Sequence, residues 1–227
     1  MVKTGQLTCS LTELFKSKFS AKIKKLVETS GTQVILVPSL QDAHHPEFVF
    51  PQAGFDPREL DLPEGVLSYP NPVTFYINEV AVGITSNDII FHLSNEETSR
   101  GVAGNRINRL ASYVIDQRSF YPLFPPRAGT QLELSKLGKL ALPVTPDLML
   151  FPSNVAPFAR EVDGVLCVNP GKLTKAQQGG TYSKITIFPM KKSGLSSCCC
   201  CCFLVSSLPH STSPPVPQRS PRKQPSC

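Results

Sequence analysis

A lysine-studded amphipathic helix that runs straight into a β-branched apolar strand constrains this chain more than any other feature of its sequence. Leu11, Leu14, Phe15, Phe19, Ile23, Leu26 and Val27 recur at spacings of three and four, the period of one helix face. Ser10 or Thr12 can cap the start, and Thr29-Ser30-Gly31 ends the helix with Gly31 placed as the C′ residue. Lys16, Lys18, Lys22, Lys24 and Lys25 give the helix a basic face, a solvated surface first and a contact for phosphate or lipid second. Residues 32–37 (TQVILV) follow at once and are stopped by Pro38, as a buried strand of the parallel type would be. A helix feeding such a strand places the chain in the α/β class.

The rest of the body alternates in the same way. Residues 38–72 form a long connection rich in proline, histidine and acidic residues, a length uncommon unless the loop is functional or wraps a neighbour. The segments VTFYI and VAVGI alternate about Asn78-Glu79 as a hairpin, and residues 89–93 read as a further strand. A second helix is expected over 105–118, with Ile107, Leu110, Ala111, Val114 and Ile115 on one face. Residues 119–146 return to loop character, and strands are expected at 148–151, 165–168 and 182–188.

After Phe188 the character changes. The last 39 residues hold nine Ser, seven Pro and six Cys without periodicity, so 1–188 is read as the folded portion and 189–227 as a disordered low-complexity tail. Charge divides at the same place: five of the 23 Lys and Arg but none of the 17 Asp and Glu lie in the tail, so the body is almost neutral. Net charge therefore gives the body no argument for binding DNA directly. Single-strand binding would need a basic groove interleaved with aromatics, and only the first helix offers lysines. The run Cys198 to Cys202 beside Lys191 and Lys192 has the composition of a palmitoylation cluster, but a segment without an evolved fold explains it more simply. Ser213-Pro214 and Ser220-Pro221 are Ser-Pro sites in the same tail.

In the body only Cys9 and Cys167 occur, which is no disulfide framework and fits a reducing compartment. The N-terminus lacks a signal-peptide core, and the longest apolar stretch, near 198–205, is far short of the ~20 residues of a membrane span.

Polar residues gather at three strand ends: Ser39 to His45, Gly83 to Asp88, and Thr145-Pro146-Asp147. His44 and His45 beside Asp42 invite a metal, yet a two-metal site needs several more ligands, and the one other body histidine, His92, falls in an apolar strand. No GxSxG elbow is present, and NPGKLTKAQQGGTY lacks the spacing of a P-loop, so a turn between strands is expected there.

The strings VPSLQDAHH, GITSNDIIFHL, DQRSFYPLFPP, LPVTPDLMLFPS and VNPGKLTKAQQGGTY, in this order over about residues 2–188, closely resemble the B subunits of DNA polymerase α–primase. The resemblance implies a partial calcineurin-like phosphoesterase fold, α/β and inactivated. It covers the C-terminal part of that domain, so a truncated product is the expectation. Active relatives carry a GNH[DE] turn, and the matching residues here are Ser39-Leu40-Gln41-Asp42, with Leu40 at the metal-binding Asn and Gln41 at the catalytic His. The GHxH motif matches Val144-Thr145-Pro146-Asp147. Leu40, Gln41, Asp42, Asp88 and Asp147 are thus vestigial site positions, with no catalytic residue, metal or cofactor implied. The rival reading is a metal-dependent phosphoesterase or 3′–5′ nuclease of the same fold, which ligand counting disfavours. The family role is a nuclear one in DNA replication: scaffolding by contact with the C-terminal domain of the polymerase α catalytic subunit, with primase reached indirectly and DNA only through the complex. Phe48, Phe50, Phe55, Tyr121 and Phe124 are candidate partner contacts, with packing of the loops onto their own domain as the equal alternative.

Overall fold

The computed structural model describes residues 9–175, 178–187 and 203–208. The chain divides into two compact units: residues up to Val73 with Ala128–Lys139, and Thr74–Arg127 with the remainder.

In the first unit, α1 (Leu11–Phe15) opens on a capping box: the Ser10 hydroxyl accepts from the Glu13 N–H at 3.1 Å while the Ser10 N–H donates to the Glu13 carboxylate at 2.8 Å. Ser10 is therefore the cap. The helix does not run uniformly, because Lys16–Ser20 forms a π-helical turn before α2 (Ala21–Ser30) resumes. That turn buries Ser20, whose hydroxyl donates to the Leu60 carbonyl at 2.6 Å. Gly31 ends α2 at φ 62°, in the left-handed region that glycine enters without a Cβ penalty.

The strand expected next is β1 (Val34–Leu36), and it pairs in parallel with β2 (Val66–Ser68). Parallel pairing requires the chain to return to its starting end, which explains why the intervening connection is so long. Phe50 and Gln52 sit at the centre of that connection, 0% and 2% exposed. The Phe50 N–H donates to the Gln131 carbonyl at 2.9 Å, and its own carbonyl accepts from Glu133 at 2.8 Å, so the connection borrows sheet-like pairing from a distant segment.

The second unit is built on a five-stranded mixed sheet. β3 (Val73–Ile77) and β4 (Val80–Ile84) are the expected hairpin; Asn78 and Glu79 both take positive φ, 48° and 70°, as a type I′ turn demands. Two helices follow, α3 (Ile89–Glu96) and α4 (Arg106–Asp116), and they lead to β5 (Leu148–Leu150), parallel to β4. This is a βαβ crossover. β6 (Phe158–Val162) and β7 (Val165–Asn169) close the sheet in the order β3-β4-β5-β7-β6, with β7 parallel to β5 and antiparallel to β6.

Residues 89–93 are helical, not a strand. Ile89, Ile90 and Leu93 are the buried positions, a helical stripe. The run is apolar on both alternations, so period alone leaves it ambiguous. The Asp88 carboxylate, accepting from the Phe91 N–H at 3.2 Å, caps the helix and decides the matter. His92 consequently lies on a helix. α4 matches its expected face, with Leu110, Ala111, Val114 and Ile115 buried, each large side chain contributing about 1.5–3 kcal/mol of burial. Glu97 ties α3 to α4 through Arg106 at 3.0 Å and Arg109 at 2.6 Å.

The sheet's core is Val80, Val82, Leu148 and Val168. Gly83 pairs with Met149 across β4 and β5, and a Cβ there would stand 2.7 Å from the Met149 sulfur. A 3-10 helix (Leu134–Leu140), β6 and a two-residue hairpin, β8 (Thr174–Lys175) with β9 (Gln178–Gly179), are additions to the elements expected from sequence. β10 (Tyr182–Ile187) packs Ile185 and Ile187 on the core and pairs antiparallel with β11 (Phe203–Leu208). Residues 203–208 thus form a strand inside the segment expected to be disordered. The rest of that segment, with its cysteine run and Ser-Pro sites, lies outside the described residues. Among the described residues no helix is long and apolar enough to cross a membrane.

Candidate functional site

Ser39-Leu40-Gln41-Asp42 follows β1 as a tight turn. The Asp42 carboxylate accepts from the Ser39 N–H at 2.7 Å, and the Asp42 N–H donates to the Ser39 carbonyl at 3.0 Å. Asp42 therefore closes its own turn. Gln41 is exposed and Leu40 half-buried, so neither offers a ligand atom held in place.

The adjacent histidines have separate environments. His45 is 4% exposed; its Nδ1 accepts from the Glu47 N–H at 3.0 Å, which leaves Nε2–H to donate to the Ala53 carbonyl at 3.0 Å. Both ring nitrogens are thus engaged by backbone, and the ring is structural. His44 stacks on Phe55, 5.2 Å away, and meets Phe15 at a tilt, 4.3 Å away, the two phenylalanine rings lying 6.0 Å from each other, and its Nε2 is buried without a hydrogen-bond partner. Burial is the main cause that pulls the His44 pKa below the ordinary histidine value. Both histidines line a pocket of about 120 Å³ together with Glu47, Phe55, Asp56 and Glu59. These acidic residues are not among the positions singled out from sequence. A signal for them exists, because residues 38–72 hold six Asp and Glu against a single Arg58.

In the second unit Asp88 and Asp147 do not meet. Asp88 follows the C-terminal end of β4, whereas Asp147 precedes the N-terminal end of β5; the two strands are parallel, so the carboxylates stand at opposite ends of the sheet. Each has a structural partner set. Asp88 caps α3, accepts from the Ser153 hydroxyl, and accepts from the backbone and side-chain nitrogens of Asn154, both at 2.7 Å. Asp147 accepts from the Ala81 N–H at 3.0 Å and donates its own N–H to the Ala81 carbonyl at 2.9 Å. Among the described residues no three His, Cys, Asp or Glu side chains cluster so as to hold a metal ion.

Next to Asp88 lies a knot that no sequence motif marks. Asn169, 1% exposed, accepts at Oδ1 from Ser153 and Gly171 and donates through Nδ2 to the Val155 and Ala156 carbonyls. The C-terminal ends of β4 and β7 are therefore tied together by side-chain amide and carboxylate groups occupied with backbone.

The candidate contact residues also divide. Phe50 is 0% and Tyr121 5% exposed, so these two are packed inside the fold, as the alternative of loop packing has it. The Tyr121 hydroxyl accepts from the Arg127 N–H at 3.3 Å and shares a hydrogen bond with His92 Nδ1, 3.2 Å away, whose direction follows the histidine tautomer; Arg127 lies 4.8 Å over the Phe91 ring. This brace holds the loop between Tyr121 and Arg127, from which Phe124 projects at 74% exposure. Phe48 is 54% exposed on the 38–72 connection, and Phe55 is half-buried in the His44 stack.

The chain is thus a mixed-sheet α/β protein whose strand-end carboxylates are engaged by backbone, hydroxyl and amide groups and which projects aromatic side chains from its loops. The chain belongs to the family of B subunits of DNA polymerases alpha and epsilon, whose model matches residues 1–160. It is similar to the DNA polymerase alpha B subunit of Mus musculus, 38% identical over 184 residues, which cover 78% of this chain and 30% of that protein. The protein of the same name from Schizosaccharomyces pombe is 37% identical over 203 residues, covering 84% of this chain and 34% of that protein. That of Drosophila melanogaster is 31% identical over 183 residues, 79% of this chain and 29% of that protein. The chain thus spans about a third of the length of the curated relatives it matches.

Proposed function

We propose that this chain serves DNA replication as a non-catalytic accessory (B) subunit of the polymerase α–primase assembly, acting in the nucleus by protein contact. The observation that carries the reading is the similarity to proteins of that name over some four-fifths of the chain. The partner is the C-terminal domain of the polymerase α catalytic subunit; primase and DNA are reached through it. The scaffold is part of an inactivated calcineurin-like phosphoesterase domain, a reading supported by the parallel strands β4, β5 and β7 and the α3–α4 crossover. Absence of catalysis is supported by Asp42, Asp88 and Asp147 each engaging neighbouring backbone. Phe124 and Phe48 are the anchors, because a large apolar side chain on a braced loop contributes area without much ordering entropy.

The test is titration of the whole chain with the C-terminal domain of the catalytic subunit. A one-to-one complex is expected, weakened at least about tenfold by Phe124→Ser, the effect of losing ~1.4 kcal/mol at one anchor. No complex, where a full-length relative of the same family forms one under the same conditions, overturns the proposal.

A further inference from the structure

The lysine helix and the acidic part of the 38–72 connection lie side by side in the first unit. The Phe15 and Phe55 rings are 6.0 Å apart, and the Ser20 hydroxyl donates to the Leu60 carbonyl at 2.6 Å, so residues 15–20 run alongside residues 55–60 in the same direction. Each run presents one sign of charge. Lys18, Lys22, Lys24 and Lys25 are exposed, and no Asp or Glu falls between Lys16 and Val27. Asp56, Glu59, Asp61 and Glu64 are exposed on the other run, with Arg58 as its one base. The ion pairs of the described residues, Arg106 and Arg109 with Glu97, lie in the second unit, so the two charged strips do not pair with each other. Among the lysines, Phe19 is 55% and Leu26 49% exposed, and neither α1 nor α2 has a buried residue. Phe19 stacks on Phe15 at 5.2 Å, so its exposed ring is held in place.

Opposite charges carried side by side on one face select the occupant. A two-fold axis running between the strips and parallel to them lays the basic strip of one chain on the acidic strip of another. It does so twice, because an isologous contact repeats itself. A nucleic acid or an anionic lipid surface would meet the lysines but be repelled by the acidic strip, and an acidic peptide would be repelled in the same way. The exposed Phe19 and Leu26 side chains supply the apolar centre that a protein interface needs inside its polar rim.

We propose that this face of the first unit is a dimerisation surface between two copies of the chain, with the lysine strip of each laid on the acidic strip of the other. The inference goes beyond the proposed accessory role and depends on none of the partners named there.

The test is sedimentation of the full chain under reducing conditions. A reversible monomer–dimer equilibrium is expected across about 1–200 µM at low salt, as for other small interfaces. Raising the salt from about 50 to 500 mM should weaken it at least about tenfold, since exposed charge pairs are screened. Two charge-reversed chains, Lys18→Glu with Lys22→Glu and Glu59→Lys with Glu64→Lys, change exposed positions only and should keep the circular dichroism of the parent. Each alone should associate at least about tenfold more weakly, because like charges then meet. Mixed one to one, they should associate within about threefold of the parent, because every strip again faces its opposite. A monomer at every concentration overturns the proposal. So does a dimer that ignores both salt and the reversals, an open-ended polymer, or a mixture that associates no better than its components. None of these readouts involves another protein, so a failure here is distinct from a failure of the chain to bind the catalytic subunit.

Discussion

Replacing Asn169 with alanine should be among the most damaging single changes in the second unit, although Asn169 is neither apolar nor in contact with any candidate partner surface. The side chain is 1% exposed and makes four hydrogen bonds to backbone, accepting from Ser153 at 3.0 Å and Gly171 at 2.8 Å and donating to Val155 at 3.1 Å and Ala156 at 3.2 Å. Alanine removes all four bonds at once. Ser153 is buried, so its N–H meets no water and costs about 1–3 kcal/mol when left unmade. Ala156 is exposed and Gly171 half-exposed, so water restores part of what they lose. Counting one buried donor in full and the others in part gives about 2–5 kcal/mol, against a total of ~5–15 for a domain. Because the chain has no tryptophan, urea unfolding is best followed by far-ultraviolet circular dichroism. The midpoint should fall while the slope stays as in the parent. Asn169→Asp supplies the control: it keeps the acceptor for two N–H groups but sets a carboxylate oxygen against two carbonyls, so at neutral pH it should be no better than alanine. A loss below about 1 kcal/mol for Asn169→Ala, or a clearly milder Asn169→Asp, refutes the claim that the amide's donors and acceptors are both needed.

Acid should weaken the fold before the carboxylates titrate. His44 and His92 both have pKa values pulled below 6.5, mainly by burial, with Arg127 adding to the effect at His92 and Asp88 opposing it. The unfolded chain then binds more protons than the native one, so stability is full above ~6.5 and declines as pH falls through that value. Urea midpoints between pH 7.5 and 5.5 should show the decline, and His92→Gln should flatten it; an unchanged slope in that variant removes His92 from the account. Cys167 should resist alkylation in the native chain, because it is fully buried and its thiol is pushed up to about 12, whereas exposed Cys9 should react. Peptide mapping after iodoacetamide reads both, and rapid labelling of Cys167 without denaturant would contradict the packing described.

The elements legible in the sequence are those whose signal is local. The α4 face, the Asn78-Glu79 hairpin and the Gly31 terminus all follow from the period, turn and cap rules, which act over a few residues. Residues 89–93 defeat such rules because an apolar run of that length satisfies both periods, and the deciding bonds come from Asp88, itself held by Ser153 and Asn154 some 65 residues away. β6 leaves little mark in the sequence because Phe158–Val162 is polar on the exposed side and borrows its register from β7. For the candidate site, sequence places the carboxylates at strand ends correctly but cannot pair ends with one another. Direction along a sheet is a tertiary property, and β4 and β5 running parallel is what sets Asp88 and Asp147 apart.

By itself, then, the sequence determined the α/β class and the family, since these depend on residue types and their order along the chain. Only the tertiary structure decided which aromatics are core and which project, why Asp42, Asp88 and Asp147 are engaged by neighbouring groups, and that His44 packs against the rings of Phe15 and Phe55. The physical reason is that burial and hydrogen-bond satisfaction depend on what folds against a residue: Phe50 and Phe48 are two positions apart, and only one of them has a segment from around residue 131 bonded to its backbone.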